Sequence, residues 1–157
     1  TLCLSLFLIM IQTFGALAGE PQLVVPSFNE ETKSAGIDSS YTGDFFFFVG
    51  GGVATFDCND DGYADMLLAG GESKAKFYRN ASTKGGALKF EIQESGLELD
   101  RVSGTYPIDI DSDSITDLVL LRVGENVVMR GKGGCKFERS NENWGFNGRC
   151  ELMTRPG

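Results

Sequence analysis

Two nine-residue stretches carry the residues most able to do chemistry: Asp57-Cys-Asn59-Asp-Asp61-Gly62-Tyr63-Ala-Asp65 and Asp109-Ile-Asp111-Ser-Asp113-Ser114-Ile115-Thr-Asp117. Each has oxygen-bearing side chains at positions 1, 3, 5 and 9, and the second begins 52 residues after the first. Hard divalent cations such as calcium take roughly 6 to 8 oxygen ligands at about 2.3 to 2.6 Å, and a tight loop alternating ligand with spacer turns positions 1, 3 and 5 to one centre. The pattern therefore predicts two Ca2+ sites. The first is formed by Asp57, Asn59, Asp61, the carbonyl of Tyr63 and Asp65, and the second by Asp109, Asp111, Asp113, the carbonyl of Ile115 and Asp117. Turn formation alone also favours Asp, Asn and Gly, but it does not account for one register occurring twice.

Neighbouring motifs are excluded by the spacing. An EF-hand requires a bidentate Glu at position 12 and flanking helices, whereas position 12 is Leu68 in one copy and Leu120 in the other. The flanks are apolar runs of strand length: Val53 to Phe56 and Met66 to Ala69 around the first loop, Tyr106 to Ile108 and Leu118 to Leu121 around the second. The unit is strand, acidic loop, strand.

The copies differ in ways that bear on the ion. Gly62 at position 6 takes a left-handed conformation at little cost, while Ser114 in the same place loses on the order of 1 to 2 kcal/mol if it must do so. Pro107 lies in the strand before the second loop and cannot donate to a ladder. The second loop also carries four Asp where the first has three and Asn59, so it attracts a cation more strongly and, empty, repels itself more. Metal should act partly as a folding ligand.

The elements that must position these loops recur as well. Phe77-Tyr-Arg-Asn80 and Val128-Met-Arg-Gly131 follow the two loops at nearly equal distance. Then come Gly85-Gly86 to Phe90 ending in Ser95-Gly96-Leu97, and Gly133-Gly134 to Phe137 ending in Trp144-Gly145-Phe146. An isolated copy of that tail, Ala35-Gly36-Ile37, precedes the first loop. Four short strands with a period of about 45 to 55 residues read as all-β propeller blades, here about two, with repeats at about 45–97 and 100–148.

Composition narrows the class further. The mature part holds 22 acidic and 14 basic residues, a net charge of −8, which repels nucleic acid. Hydrophobic residues at 41%, with 12 Phe, suffice for a core. With no His and no CxxC, a thiolate or imidazole metal site has no basis. Leu2 to Ile11 is apolar apart from Ser5, and Ala16-Leu-Ala18 follows, so residues 1–18 read as a signal peptide lacking its basic start. That gives a mature chain of 19–157 that is secreted or cell-surface/periplasmic, with no membrane span after cleavage; an uncleaved anchor is the alternative. The chain ends read as those of a fragment of a longer protein. Of the remaining cysteines, Cys135 and Cys150 can close a local disulfide, leaving Cys58 free or paired outside the fragment.

Three segments have readings to weigh. Gly50-Gly51-Gly52 leads into a strand, so it is a turn rather than a phosphate cradle. Phe45 to Phe48 is expected to pack between sheets rather than insert into a membrane. Asn80-Ala-Ser82 fits a glycosylation acceptor.

Gly51 through Gly70, then Phe77-Tyr-Arg-Asn80 and Phe90 through Leu97, resemble an FG-GAP or VCBS repeat, with coverage from about Pro26 to Gly148. The tails Ala35-Gly36-Ile37, Ser95-Gly96-Leu97 and Trp144-Gly145-Phe146 are similar to those of the exported, cartilage-acidic-protein-like group that carries an ASPIC/UnbV domain after its repeats. The resemblance implies a calcium-binding, integrin-α-like propeller, commonly seven-bladed, whose loops bind an extracellular protein or glycan as an adhesion scaffold. No catalytic residue is expected, since every clustered carboxylate is explained as a ligand. The alternative is the structural propeller portion of a larger exported hydrolase or lyase whose active site lies outside this chain.

Overall fold

A computed structural model describes residues 23–146. The expected signal peptide, Cys150 and the last residues of the second repeat lie outside the described residues. Residues 23–30 belong to a separate unit from the body that begins at Glu31, and they contain no strand or helix.

The body is all-β, built as two four-stranded antiparallel sheets in sequential order. The first comprises β1 (Val53–Phe56), β2 (Asp65–Leu68), β3 (Lys76–Asn80) and β4 (Phe90–Ile92). The second comprises β5 (Val102–Ile108), β6 (Asp117–Arg122), β7 (Val127–Gly131) and β8 (Phe137–Arg139). Two meanders of four short strands, each with an acidic loop between its first two strands, are the arrangement of two propeller blades. Among the described residues no helix is long and apolar enough to cross a membrane.

The register places the acidic loops alike. Phe56 pairs with Asp65 at the mouth of the first loop, and Ile108 pairs with Asp117 at the mouth of the second. Pro107 is accommodated because β5 is an edge strand, where a missing donor costs no ladder bond on the open side.

One apolar core lies between the sheets. Leu67, Phe77, Leu118, Leu120 and Val127 are fully buried in it. Phe56 stacks on Phe77 with centroids 6.1 Å apart and meets Phe137 of the other sheet edge-on at 5.8 Å. A face shared by two sheets explains the alternating burial along β1 and β2.

The glycine tails have a common task. The carbonyl of Ala35 accepts a hydrogen bond from Phe90 N at 2.7 Å, and that of Ser95 accepts one from Phe137 N at 2.8 Å. Each tail thereby docks on the outermost strand of a sheet. The next residue must be glycine: a Cβ on Gly36 would stand 2.7 Å from the Phe90 carbonyl oxygen, and one on Gly96 2.5 Å from that of Phe137.

Two expectations are corrected. Phe45 to Phe48 does not pack between the sheets; it forms a 3₁₀ turn, Phe45–Phe47, in which Phe47 alone is buried while Phe45 and Phe48 are about three-quarters exposed. A turn of this pitch cannot direct four successive side chains to one side. The disulfide joins Cys58 to Cys135, not Cys135 to Cys150. Their Cα atoms stand 4.8 Å apart because packing of the sheets brings the first acidic loop against the β7–β8 turn.

Candidate metal centre

The two acidic loops share one backbone course. Positions 4 and 6 both have positive φ, at Asp60 (58°) and Gly62 (84°) in the first loop and at Ser112 (60°) and Ser114 (68°) in the second. Ser112 and Ser114 therefore both adopt a left-handed conformation, which costs a non-glycine residue roughly 1 to 2 kcal/mol.

Hydrogen bonding repeats as well. Position 1 accepts from the backbone of position 6, Gly62 N to Asp57 Oδ2 at 2.7 Å and Ser114 N to Asp109 Oδ2 at 3.0 Å. Position 5 accepts from position 7, Tyr63 N to Asp61 Oδ1 at 2.9 Å and Ile115 N to Asp113 Oδ1 at 2.8 Å. These bonds wind each loop tightly, and in the first loop the other oxygen of Asp57 is held too, by Asp61 N at 3.2 Å.

Position 9 has a different role from the exposed positions. Asp65 and Asp117 open β2 and β6 and are fully buried. Asp65 accepts from Cys58 N at 3.0 Å and Asn80 N at 2.8 Å, while Asp117 accepts from Ile110 N at 2.9 Å and Gly131 N at 2.8 Å. Each carboxylate thus ties its loop to the third strand of its own sheet. Burial pushes the Asp65 pKa up, partly offset by the hydrogen bonds from Asn80 and Cys58, with Asp61 and Asp57 adding repulsion.

Two observations bear on a cation. Carboxylate oxygens of Asp109, Asp111 and Asp117 lie within 4.8 Å of one another. In the first loop, Asn59 donates through Nδ2 to Asp61 Oδ2 at 2.9 Å, which leaves Asn59 Oδ1 buried with no donor. An acceptor buried without a partner carries a desolvation cost that a positive ligand removes. The donor sets are all oxygen, as a hard cation requires. Cys58 and Cys135, although close to Asp65, are joined to each other and offer no thiolate. The loops lie side by side, bordering a cleft of about 40 Å³ lined by Asp57 and Asp60 on one side and Ser114, Ile115 and Thr116 on the other.

The family model for the FG-GAP-like repeat matches residues 57–146, more than half of the 157-residue chain. The chain belongs to the FG-GAP-like repeat family. The match begins at Asp57, the first position of the first loop, and ends at Phe146 in the Trp144-Gly145-Phe146 tail. No curated protein and no solved structure matches the chain.

Three residues that place this FG-GAP-like site are not evident from the loop pattern. Asn80 ends β3 nearly buried; its Nδ2 donates to the Ala64 carbonyl at 3.0 Å and its Oδ1 accepts from Ser82 N at 3.0 Å. Its side chain therefore holds the end of the first loop. Gly131 occupies the corresponding place, where a Cβ would stand 2.3 Å from the Thr116 carbonyl oxygen. Arg130 enters the second loop, with its guanidinium 2.7 Å from Asp111 Oδ2 and 3.4 Å from Asp113 Oδ2. The near-equal spacing after the two loops contained a signal for all three, since Arg79-Asn80 and Arg130-Gly131 correspond once the second copy is taken as one residue shorter.

Proposed function

We propose that this chain is the calcium-binding part of an exported FG-GAP-like β-propeller that serves outside the cell as a protein- or glycan-binding adhesion scaffold. The observation that carries the calcium reading is the buried, unpartnered Asn59 Oδ1, set between Asp57 and Asp61. Asp57, Asn59, Asp61 and Asp65 with the Tyr63 carbonyl would hold one ion. Asp109, Asp111, Asp113 and Asp117 with the Ile115 carbonyl would hold the other. Bound calcium supplies charge that cancels carboxylate repulsion at two strand connections, so it acts on loop order rather than on a reaction.

Export is supported by the apolar run at 2–11 with its Ala16-Leu-Ala18 cleavage pattern, and by an interblade disulfide, which persists in oxidising surroundings. The glycine tails favour the ASPIC/UnbV-bearing group within the family. In this reading no residue here is catalytic, because the clustered carboxylates are taken up as calcium ligands and the sequence has no His.

Thermal unfolding of the full chain in calcium and in chelator tests the metal reading. An ion at about 100 times its Kd adds about 2.7 kcal/mol, which raises Tm by several degrees. Indifference to both additions rejects the reading. Capture on glycan and matrix-protein arrays should require calcium, and binding that ignores chelator would reject the scaffold role for these loops.

A further inference from the structure

The two blades use one arginine in opposite ways. Arg79 and Arg130 occupy the same place, one residue before the end of the third strand, and each is registered across from a glutamate of the fourth strand: Arg79 with Glu91 and Arg130 with Glu138. In the first blade the pair closes, Arg79 to Glu91 at 2.9 Å. In the second it does not. Glu138 is paired with Lys132 at 2.9 Å, and Arg130 has turned into the acidic loop.

The charge of the loops accounts for the difference. Position 3 is neutral Asn59 in the first loop and Asp111 in the second, so the second carries one more carboxylate in the same tight winding. Close carboxylates repel, and a guanidinium bridging two of them removes much of that repulsion. We infer that Arg130 is a built-in counter-cation of the second loop, which calcium must displace, so that the two loops bind calcium unequally and the first fills first.

The placement is displaceable rather than locked. Arg130 Nε is buried with no acceptor, so the guanidinium in the loop leaves one of its donors unpaired. Its contact with Asp113 is long at 3.4 Å, and the side chain is 38% exposed, a range in which ion pairs are weak. Arg130 also has Glu138 across the strand to move to. This inference rests on the calcium reading of the second loop.

Calcium titration by calorimetry tests it on the full chain with the disulfide intact, in an Asp57→Ala, Asp61→Ala background that takes two charged ligands from the first loop and leaves the second as the tighter site. Arg130→Gln should tighten calcium binding there by roughly tenfold, the equivalent of losing two weak, partly exposed ion pairs. It should also lower Tm in chelator, with calcium restoring it. Arg130→Lys should give a smaller gain, because Nη2 alone makes both contacts and an ammonium keeps that positive charge within reach of the loop, and this variant keeps the test alive if Arg130→Gln does not fold. Unchanged calcium affinity in both variants overturns the counter-cation role while leaving the calcium reading intact. If neither parent nor variants take up calcium, both fall.

Discussion

Cys58, the second residue of the first acidic loop, is bonded to Cys135 in the β7–β8 turn of the other blade, 77 residues away. The same Cys58 donates its N–H to Asp65 Oδ2, so the crosslink grips the loop where it closes on itself. By chain-entropy reasoning a crosslink of this span contributes about 4.5 kcal/mol. Reduction should therefore lower Tm by many degrees. It should also weaken calcium uptake at the first loop more than at the second, which calorimetry on oxidised and reduced protein would show. Equal weakening at both loops would mean that the disulfide braces the blades without acting on the loop.

Asn80 fits a glycosylation acceptor, but in the folded chain its amide holds the Ala64 carbonyl and the Ser82 N–H. A chain carrying a glycan there cannot close the loop. Protein secreted folded from a glycosylating host should show an unmodified Asn80 peptide by mass spectrometry. Asn80→Ala should cost about 1 to 2 kcal/mol in chemical unfolding, because it removes two part-buried hydrogen bonds to the backbone.

How far the fold could be read from the residues follows from the range of the interactions. The strands around the loops were legible because each is a short apolar run closed by Asp, Asn or Gly, and β1 spans Val53–Phe56 as the run does. The shared winding of the loops was legible from one register occurring twice. What lay hidden depends on residues far apart in sequence. Cys58 meets Cys135 only once two sheets have packed, and the burial of Phe45 to Phe48 is decided by which surfaces flank the turn. Arg130 looks like a solvated strand residue until its glutamate is seen paired elsewhere.

Asp65 gives the protein a pH dependence. Burial raises its pKa, so its contribution to stability is full below the ordinary aspartate range and is lost as pH rises through the raised value. Calcium binds the deprotonated carboxylate and offsets that loss. The increase in Tm produced by calcium should therefore grow as pH rises out of the carboxylate range, and a constant increment would contradict the assignment of Asp65 as a ligand. Asp65→Asn, with one acceptor oxygen for the N–H groups of Cys58 and Asn80, should cost about 1 to 3 kcal/mol even in chelator.

Neighbouring aspartates in the first loop should behave differently. Asp61 orients Tyr63 N and Asn59, while Asp60 is an exposed spacer. Asp61→Ala should weaken calcium binding by about tenfold or more, the scale expected for losing one charged ligand, whereas Asp60→Ala should leave it nearly unchanged. Equal losses in a calcium titration would show that the ligand register is displaced by one residue.

Position 6 offers a reciprocal exchange that separates backbone strain from side-chain contacts. Ser114 sits at φ 68° and Gly62 at φ 84°, and a Cβ at Gly62 would meet nothing within 4 Å. The cost of a side chain there is therefore conformational alone. Ser114→Gly should stabilise the chelated protein by about 1 kcal/mol, with the gain reduced by the extra freedom glycine has when unfolded. Gly62→Ser should destabilise it by a similar amount. Because Ser114 donates to Asp109 through its backbone, the hydrogen bond survives the change, and calcium affinity at the second loop should not fall. A loss of calcium affinity in Ser114→Gly would instead assign a direct role to the hydroxyl.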